Sequence, residues 1–434
     1  MDGRWVRIGG MLWVLTAHLA LAQSPQTPVA VDVITRMANR MADQLVRIRR
    51  HLHMYPELSN REFRTAAYIA ERLRAIGLDE VRTGIARTGV VGILRGNRPG
   101  PVIAVRADMD ALPVEETIDV PYKSRHAGVK HACGHDAHMT VALGTAMVLT
   151  AWKRAGHPLP GTVVFIFQPA EEGPPPGEEG GASLMVREGV LDDPPVEAIF
   201  GLHVSPLLPV GTVGFARGPI LAAASRFEIR IHGKQTHGAY PHLGVDPIYI
   251  GALIVTALQS IVSRSLDPRE AAVVSVGIFQ AGNRFNIIPE EARLVGTIRT
   301  LNDEVHRQVV ERIRNIVDRI TSAYGATYEF HTSLTIPVTR NDPDLVNAVL
   351  PAIQAALGSD RVQEVMPQMG AEDFAFYAQK IPGFYFWLGV WNPENPEIHM
   401  LHTPKFDIDE RALPIGVRAM SSVVLHYLWT HAEK

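Results

Sequence analysis

PVIAVRADMD, residues 101–110, decides how this chain is read. A mostly apolar run reads as a strand buried on both faces, and it ends on two carboxylates, Asp108 and Asp110. Three more runs share the form: GVVGILRG (89–96), GTVVFIFQPA (161–170) and EAIFGLHV (197–204). Apolar residues at helical spacing fill ITRMANRMADQLVRIRRHLHMYPE (34–57), REFRTAAYIAERLRAIGL (61–78) and MTVALGTAMVLTAWKRA (139–155). Continuous apolar strands alternating with helices indicate an α/β fold, a mostly parallel sheet covered on both faces by helices.

The texture changes after Arg217. SRFEIRIHGK, AAVVSVGIFQAG and EARLVGTIRT read as strands around two helical stretches, 246–264 and 301–325. Their β–α–β–β–α–β order is that of a split-βαβ (ferredoxin-like) unit. From about 334 the first pattern resumes, with a helix at 344–358, the strand GFYFWLGV (383–390) and a final helix. The expectation is a discontinuous catalytic domain, 31–216 and 334–434, interrupted by an inserted domain, 217–333. A length of 434 residues fits two or three domains at about 150 residues each.

Apolar residues at 46% and charged residues at 20% describe a globular protein, and a net charge of −3 gives no reason to expect nucleic acid or an anionic membrane as partner. The single cysteine excludes an intrachain disulfide. Two arginines, an apolar stretch of about 15 residues and small residues before Gln23 have the layout of a secretory signal peptide cut after Ala22, with a retained anchoring helix as the alternative. Removal of Met1–Ala22 predicts an exported chain, periplasmic or secreted, with no membrane attachment afterwards.

Ligand sites in open α/β sheets collect at the C-terminal ends of strands. There the chain places Asp108 and Asp110, the pair Glu171–Glu172, His203 and, after a late strand, His399 and His402. The lone cysteine lies in HACGHDAH (131–138), with three histidines and an aspartate. Each feature alone is ordinary: a core histidine, a solvated acid pair, a helix cap. Four separated segments carrying Asp, Glu, His and Cys to one end of one sheet are what a metal site requires.

RADMDALP, HACGHDAH, QPAEEG, GLHV, GKQTHGAYPHLGVDPI, FNIIP, GTIR, MGAEDFAFY and LHTP, in that order, resemble the di-metal aminoacylase–carboxypeptidase superfamily of metallopeptidases. The opening RRHLHMYPELSNREFRTA is similar to one branch of it, the hippurate hydrolases, indole-acetyl-amino-acid hydrolases and N-acyl-amino-acid amidohydrolases. The resemblance implies two divalent ions, Zn or Mn foremost and Co or Ni also suited, held by Cys133, His135, Glu172, His203 and His402. It implies amide hydrolysis of N-acyl amino acids by a metal-activated water, with Glu171 as general base. Asp110 would orient a ligand, or merely cap a helix, and Asp136 would stand behind the ligands; His131 and His138 have no assigned role. Where the wider superfamily has a histidine ligand this chain has Asp108, so the bridging ligand stays open. The inserted domain would make a homodimer and send His237 into the partner's site as an oxyanion donor, or leave it a turn histidine. Asn286 and Arg299 would hold the substrate's free carboxylate, although an edge-strand surface arginine reads the same way. The aromatic stretch 369–391 reads mostly as core. A dipeptidase or carboxypeptidase is the alternative within the class. A cysteine-nucleophile hydrolase leaves Glu171, Glu172, His203 and His402 without work, and a non-catalytic binding protein has no use for the base.

Overall fold

The computed structural model describes residues 27–395 and 397–432, so the expected export segment Met1–Ala22 lies outside the described residues. The first helical patterns form α1 (Thr27–Arg40), α2 (Ala42–Met54) and α3 (Phe63–Ile76). Then come β1 (Glu80–Ile85), β2 (Gly89–Arg95), β3 (Arg98–Asp108), α4 (His135–Arg154), β4 (Pro160–Gln168), α5 (Gly181–Arg187), β5 (Ala198–Pro209) and β6 (Val213–Phe215). β7 (Gly218–Leu221) leads out to β8 (Ala223–His232), β9 (Thr236–His237), α6 (Pro247–Ser260), β10 (Ala272–Ala281), β11 (Ile287–Ile288), β12 (Glu291–Thr300), α7 (Asp303–Ala323) and β13 (Thr327–Ile336). The return path is β14 (Thr339–Asn341), α8 (Pro343–Leu357), β15 (Val362–Glu364), α9 (Ala375–Ala378), β16 (Gly383–Trp391) and α10 (Ala412–Thr430).

The large sheet has eight strands in the order β1-β2-β4-β3-β5-β16-β6-β15. Its centre, β4-β3-β5-β16, is parallel, while β1, β2 and β6 bring in antiparallel pairings. The unbroken apolar runs arise because alternate residues enter different cores. Ile103, Val105, Phe165, Phe167, Phe200 and Phe386 pack under α1, α2, α3, α4, α8 and α10. Ala104, Val164, Ile166, Ile199 and Tyr385 face the opposite side, covered by Ala182 and Met185 of α5 and Tyr377 of α9. Each such apolar side chain taken from water contributes about 1.5–3 kcal/mol, which is why the strands tolerate almost no polar residue along their length.

The second sheet, β10-β12-β8-β13, is antiparallel throughout and has its own core, in which Phe227, Ile229, Leu294 and Ile298 meet Ile254 of α6 and Val309 and Ile313 of α7. Its order is the split-βαβ arrangement expected. β13 runs to Ile336, three residues beyond the expected boundary at 333, and β7 pairs with β14 where the chain leaves and re-enters the large sheet.

Candidate metal centre

Strand register puts the chemistry on one edge. Asp108 ends β3 level with Gln168 at the end of β4, and Arg106 pairs with Gly201, which sets Asp108 beside His203 of β5. The chain between Cys133 and His135 turns through Gly134 at φ 90°, the N-cap of α4. A Cβ there would lie 2.4 Å from Val204 Cγ2, so only glycine permits this turn against β5. Ala170 takes a left-handed φ of 51° just before Glu171 and Glu172. His402, also left-handed at φ 62°, is tied by its N–H to Ala132 O at 2.8 Å.

These turns gather five donors. Cys133 Sγ lies 3.3 Å from His203 Nε2 and 3.2 Å from His402 Nε2. His402 Nε2 is 3.1 Å from Glu172 Oε1, and His135 Nε2 is 3.8 Å from Glu171 Oε2. Ligands about 2.0–2.3 Å from a tetrahedral ion stand about 3.5 Å from one another, so the spacing suits metal ligation. Of the five sets of donors that lie within 4.8 Å of one another among the described residues, two share Cys133, namely Cys133–His135–His203 and Cys133–Glu172–His402, and a third joins His135 to Asp108 and His138. Glu171 lies beside them, grouped with His135 and Glu172.

Hydrogen bonds orient the rings. His203 Nδ1 donates to Val204 O at 2.8 Å and His135 Nδ1 donates to Asp110 O at 2.8 Å, which turns both Nε2 atoms into the cluster. His135 Nε2 is buried with no hydrogen-bond partner, and Glu172 Oε1 meets His402 Nε2 at 3.1 Å without hydrogen-bond geometry. Orphaned polar atoms cost free energy, and an ion between these donors removes that cost, so the residues fit the divalent ions that the resemblance implies.

Residues 104–426 match the model of peptidase family M20/M25/M40. The chain belongs to this family. It is 41% identical over 388 residues to the N-acetylcysteine deacetylase of Bacillus subtilis, covering 89% of this chain and 97% of that one. It is 40% identical over 402 residues to thermostable carboxypeptidase 2 of Saccharolobus solfataricus, covering 92% and 99%. Among solved structures it superposes on the Bacillus subtilis YXEP protein, a dinuclear metal-binding peptidase of the M20 family, with a TM-score of 0.78 and 37% identity over 90% of this chain and 99% of that one. This M20 chain is therefore a hydrolase of a metal-dependent amidohydrolase and peptidase family.

Around the donors of this M20 member lies an excess of negative charge. Asp108, Asp110, Glu171, Glu172, Glu372 and Asp373 crowd the site, and Arg106 is the guanidinium paired with three of them. Burial works against charge on His135, yet Asp108 and Asp110 raise it to about 10. Burial, then Glu172 and Glu171, push the Cys133 thiol well above its usual range. A nucleophilic cysteine needs the opposite field, so the arrangement disfavours a cysteine hydrolase and suits a bound cation, which would deprotonate the thiol outright.

Asp110 does not cap a helix. It accepts from Glu171 N–H at 3.1 Å, Glu172 N–H at 3.0 Å and Ser59 Oγ at 2.8 Å, and so holds the acid pair in place. His138, without an assigned role from sequence, is a strut: Nδ1 donates to Asp108 at 2.7 Å and Nε2 accepts from Val204 N–H at 2.9 Å. Asp136 engages Arg49 and His53 rather than any donor. His131 is buried with neither ring nitrogen bonded, and burial pushes it down to about 4. His399 lies 3.8 Å from Glu397 and joins no donor set.

Sequence reading passed over Arg106, Gln168, Glu372 and Asp373. Arg106 is fully buried and reaches Gln168, Asp108, Glu372 and Asp373 at 2.8–2.9 Å. Its one signal was a cation inside an apolar strand, a position where an arginine survives only if paired. His237 and Asn286 come together elsewhere, on the short β9–β11 pair, where Gly238 N–H donates to Asn286 O at 2.8 Å. His237 is exposed and makes no hydrogen bond to the donors. Arg299 on β12 donates to Thr297 Oγ1 and Ile298 O and has no carboxylate partner among the described residues.

Proposed function

We propose that this chain hydrolyses the amide bond of N-acyl amino acids to a carboxylic acid and a free amino acid. Cys133, His135, Glu172, His203 and His402 would hold two divalent ions, Zn or Mn foremost. The observation that carries this reading is the pair of donor triads meeting at Cys133, with the spare carboxylate of Glu171 beside them. When bound, the ions supply Lewis acidity and an activated water. Glu171 would accept the proton of the attacking water and return it to the amide nitrogen as the bond breaks, while Asp110 keeps its backbone in place. Arg299, with no acid partner, supports recognition of a free carboxylate, together with Asn286. The deacetylase relative, named for an N-acetyl amino acid, favours this substrate class.

Small peptides are the second reading, supported by the carboxypeptidase name of the other relative; both substrate classes carry a carboxylate next to the scissile amide. A homodimer through the inserted domain completes the proposal, with His237 serving the partner's site. It is supported by the apolar stretch Pro247–Ser265, which leaves Ile248, Tyr249 and Val262 exposed. Export after loss of Met1–Ala22 belongs to the same reading.

The test is a screen of N-acetyl-, N-benzoyl- and indole-acetyl-amino acids against dipeptides, after reconstitution with Zn²⁺, Mn²⁺ or Co²⁺. Glu171→Gln should keep both ions and lose about 10²–10⁴ in kcat. Full turnover in that variant, or full activity of the parent after chelation, defeats the mechanism.

A further inference from the structure

The motif RRHLHMYPE contributes no donor to the metal centre, yet three of its side chains are wired beneath it. Arg49 of α2, 1% exposed, donates from Nε to Asp136 at 2.8 Å and from its second arm to Asp407 at 2.6 Å. His53 lies 2.7 Å from Asp136 and 2.9 Å from Glu116. Glu116 is 3.4 Å from Lys130, and Lys130 Nζ donates to Pro404 O at 3.0 Å. The path Asp407–Arg49–Asp136–His53–Glu116–Lys130–Pro404 starts and ends on the segment just after His402. Arg50 adds an outer bond to Glu410 at 2.6 Å, and Tyr122 OH donates to Asp407 at 2.8 Å.

The anchors flank the ligand residues along the chain. Asp136 follows His135 directly, Lys130 precedes Cys133 by three residues, and Pro404 and Asp407 follow His402 by two and five. None of these groups belongs to a donor set. A buried ion pair adds little stability over well-packed apolar residues of the same volume, so stability alone is a weak reason for so many buried charges. Metal affinity, by contrast, depends on donor spacing, and groups behind the ligands typically change it about 10–100-fold.

We propose that Arg49, His53 and Lys130 are positioning residues of the metal centre, closing a buried ring of charge that fixes the His402 segment against the Cys133–His135 segment. This rests on the ligand assignment proposed above. Cutting the ring frees His402 first, so the ion at Cys133–Glu172–His402 weakens more than the ion at Cys133–His135–His203.

The experiment measures binding of both ions by competition with a chromogenic chelator in the full chain, for Lys130→Met and Asp407→Asn. Val349→Ala, a cavity in the core at α8, a helix that contributes no residue to the ring, supplies a comparison of lowered Tm without a cut ring. The expected result is a loss of ten-fold or more in affinity for one ion in both ring variants and none in Val349→Ala. Affinities within two-fold of the parent in a folded ring variant overturn the proposal, as does an equal loss in Val349→Ala. If Lys130→Met does not fold, Asp407→Asn, at a half-open edge of the ring, decides by the same measurement. A parent that binds no metal sinks the ligand assignment itself, a result distinct from intact binding in the variants.

Discussion

Asp110→Asn tests the architecture with the smallest change of shape. Asp110 is fully buried; burial opposes its charge, but His135, Ser59 and the Glu172 N–H hold its carboxyl below the ordinary range. Oδ1 accepts from Glu171 N–H, while Oδ2 accepts from Glu172 N–H and Ser59. Asparagine has one oxygen, so whichever way its amide is turned, an NH₂ group faces one of these donors. One charge-assisted bond, about 1.5–3 kcal/mol, is lost. If that strain moves the acid pair, metal affinity should fall about 10–100-fold, and at about 1.4 kcal/mol per decade the two ranges agree. The assay is chelator competition on the metal-loaded protein, paired with kcat/KM. Ser59→Ala removes one of the three bonds and leaves both backbone contacts, so it should lose less than ten-fold. Affinity within two-fold of the parent for Asp110→Asn, or an equal loss for Ser59→Ala, would refute the reasoning.

Three further outcomes are expected. Burial, then the nearby Asp110, pushes Glu62 from 4.5 up to about 7, against bonds from Thr88 Oγ1 and Ala170 N–H. The folded chain therefore holds this proton more tightly than the unfolded one; stability is full below about pH 4.5 and falls by up to about 3 kcal/mol as the pH rises to 7. Part of that loss precedes pH 5, so denaturant melts of metal-free Glu62→Gln at pH 5 and 7.5 should show about 2 kcal/mol less decline than the parent, and identical slopes would count against the assignment. Arg106→Leu removes the cation buried against Glu372 and Asp373 and leaves Asp108 to His138 alone among its side-chain hydrogen bonds; it should cost about 3–5 kcal/mol in the same melts, and a loss below about 1 kcal/mol would contradict the pairing. Gly134→Ala forces a Cβ to φ 90° and onto Val204, at about 1–2 kcal/mol of backbone strain before the clash, and should displace Cys133 and His135. Parental metal content in that variant would show that the turn does not set the donors.

The strands could be read from sequence because burial on two faces leaves a purely local trace, an apolar run with polar residues only at its end. Glu172 and His203 stood out because they lie at or just beyond strand ends, Cys133 because it is the lone cysteine of a histidine cluster, and His402 because it follows a late strand; their selection as ligands came from the family resemblance. Glu372 and Asp373 lay unremarked inside MGAEDFAFY because Arg106, which meets them, is 267 positions from Asp373. Arg49 and Asp407 are 358 positions apart, and no periodicity connects them.

Residue type and spacing thus determined by themselves the α/β layering, the split-βαβ order of the second unit and the kinds of donor available. Tertiary structure alone decided that Cys133 stands in both triads, that His138 braces β3 against β5, and that Asp136 turns to Arg49 instead of the donors. Burial patterns repeat every two or three to four residues along the chain. An ion pair or a ring's hydrogen bond depends on which remote atoms come within about 3 Å, and that distance exists only after the sheet has assembled.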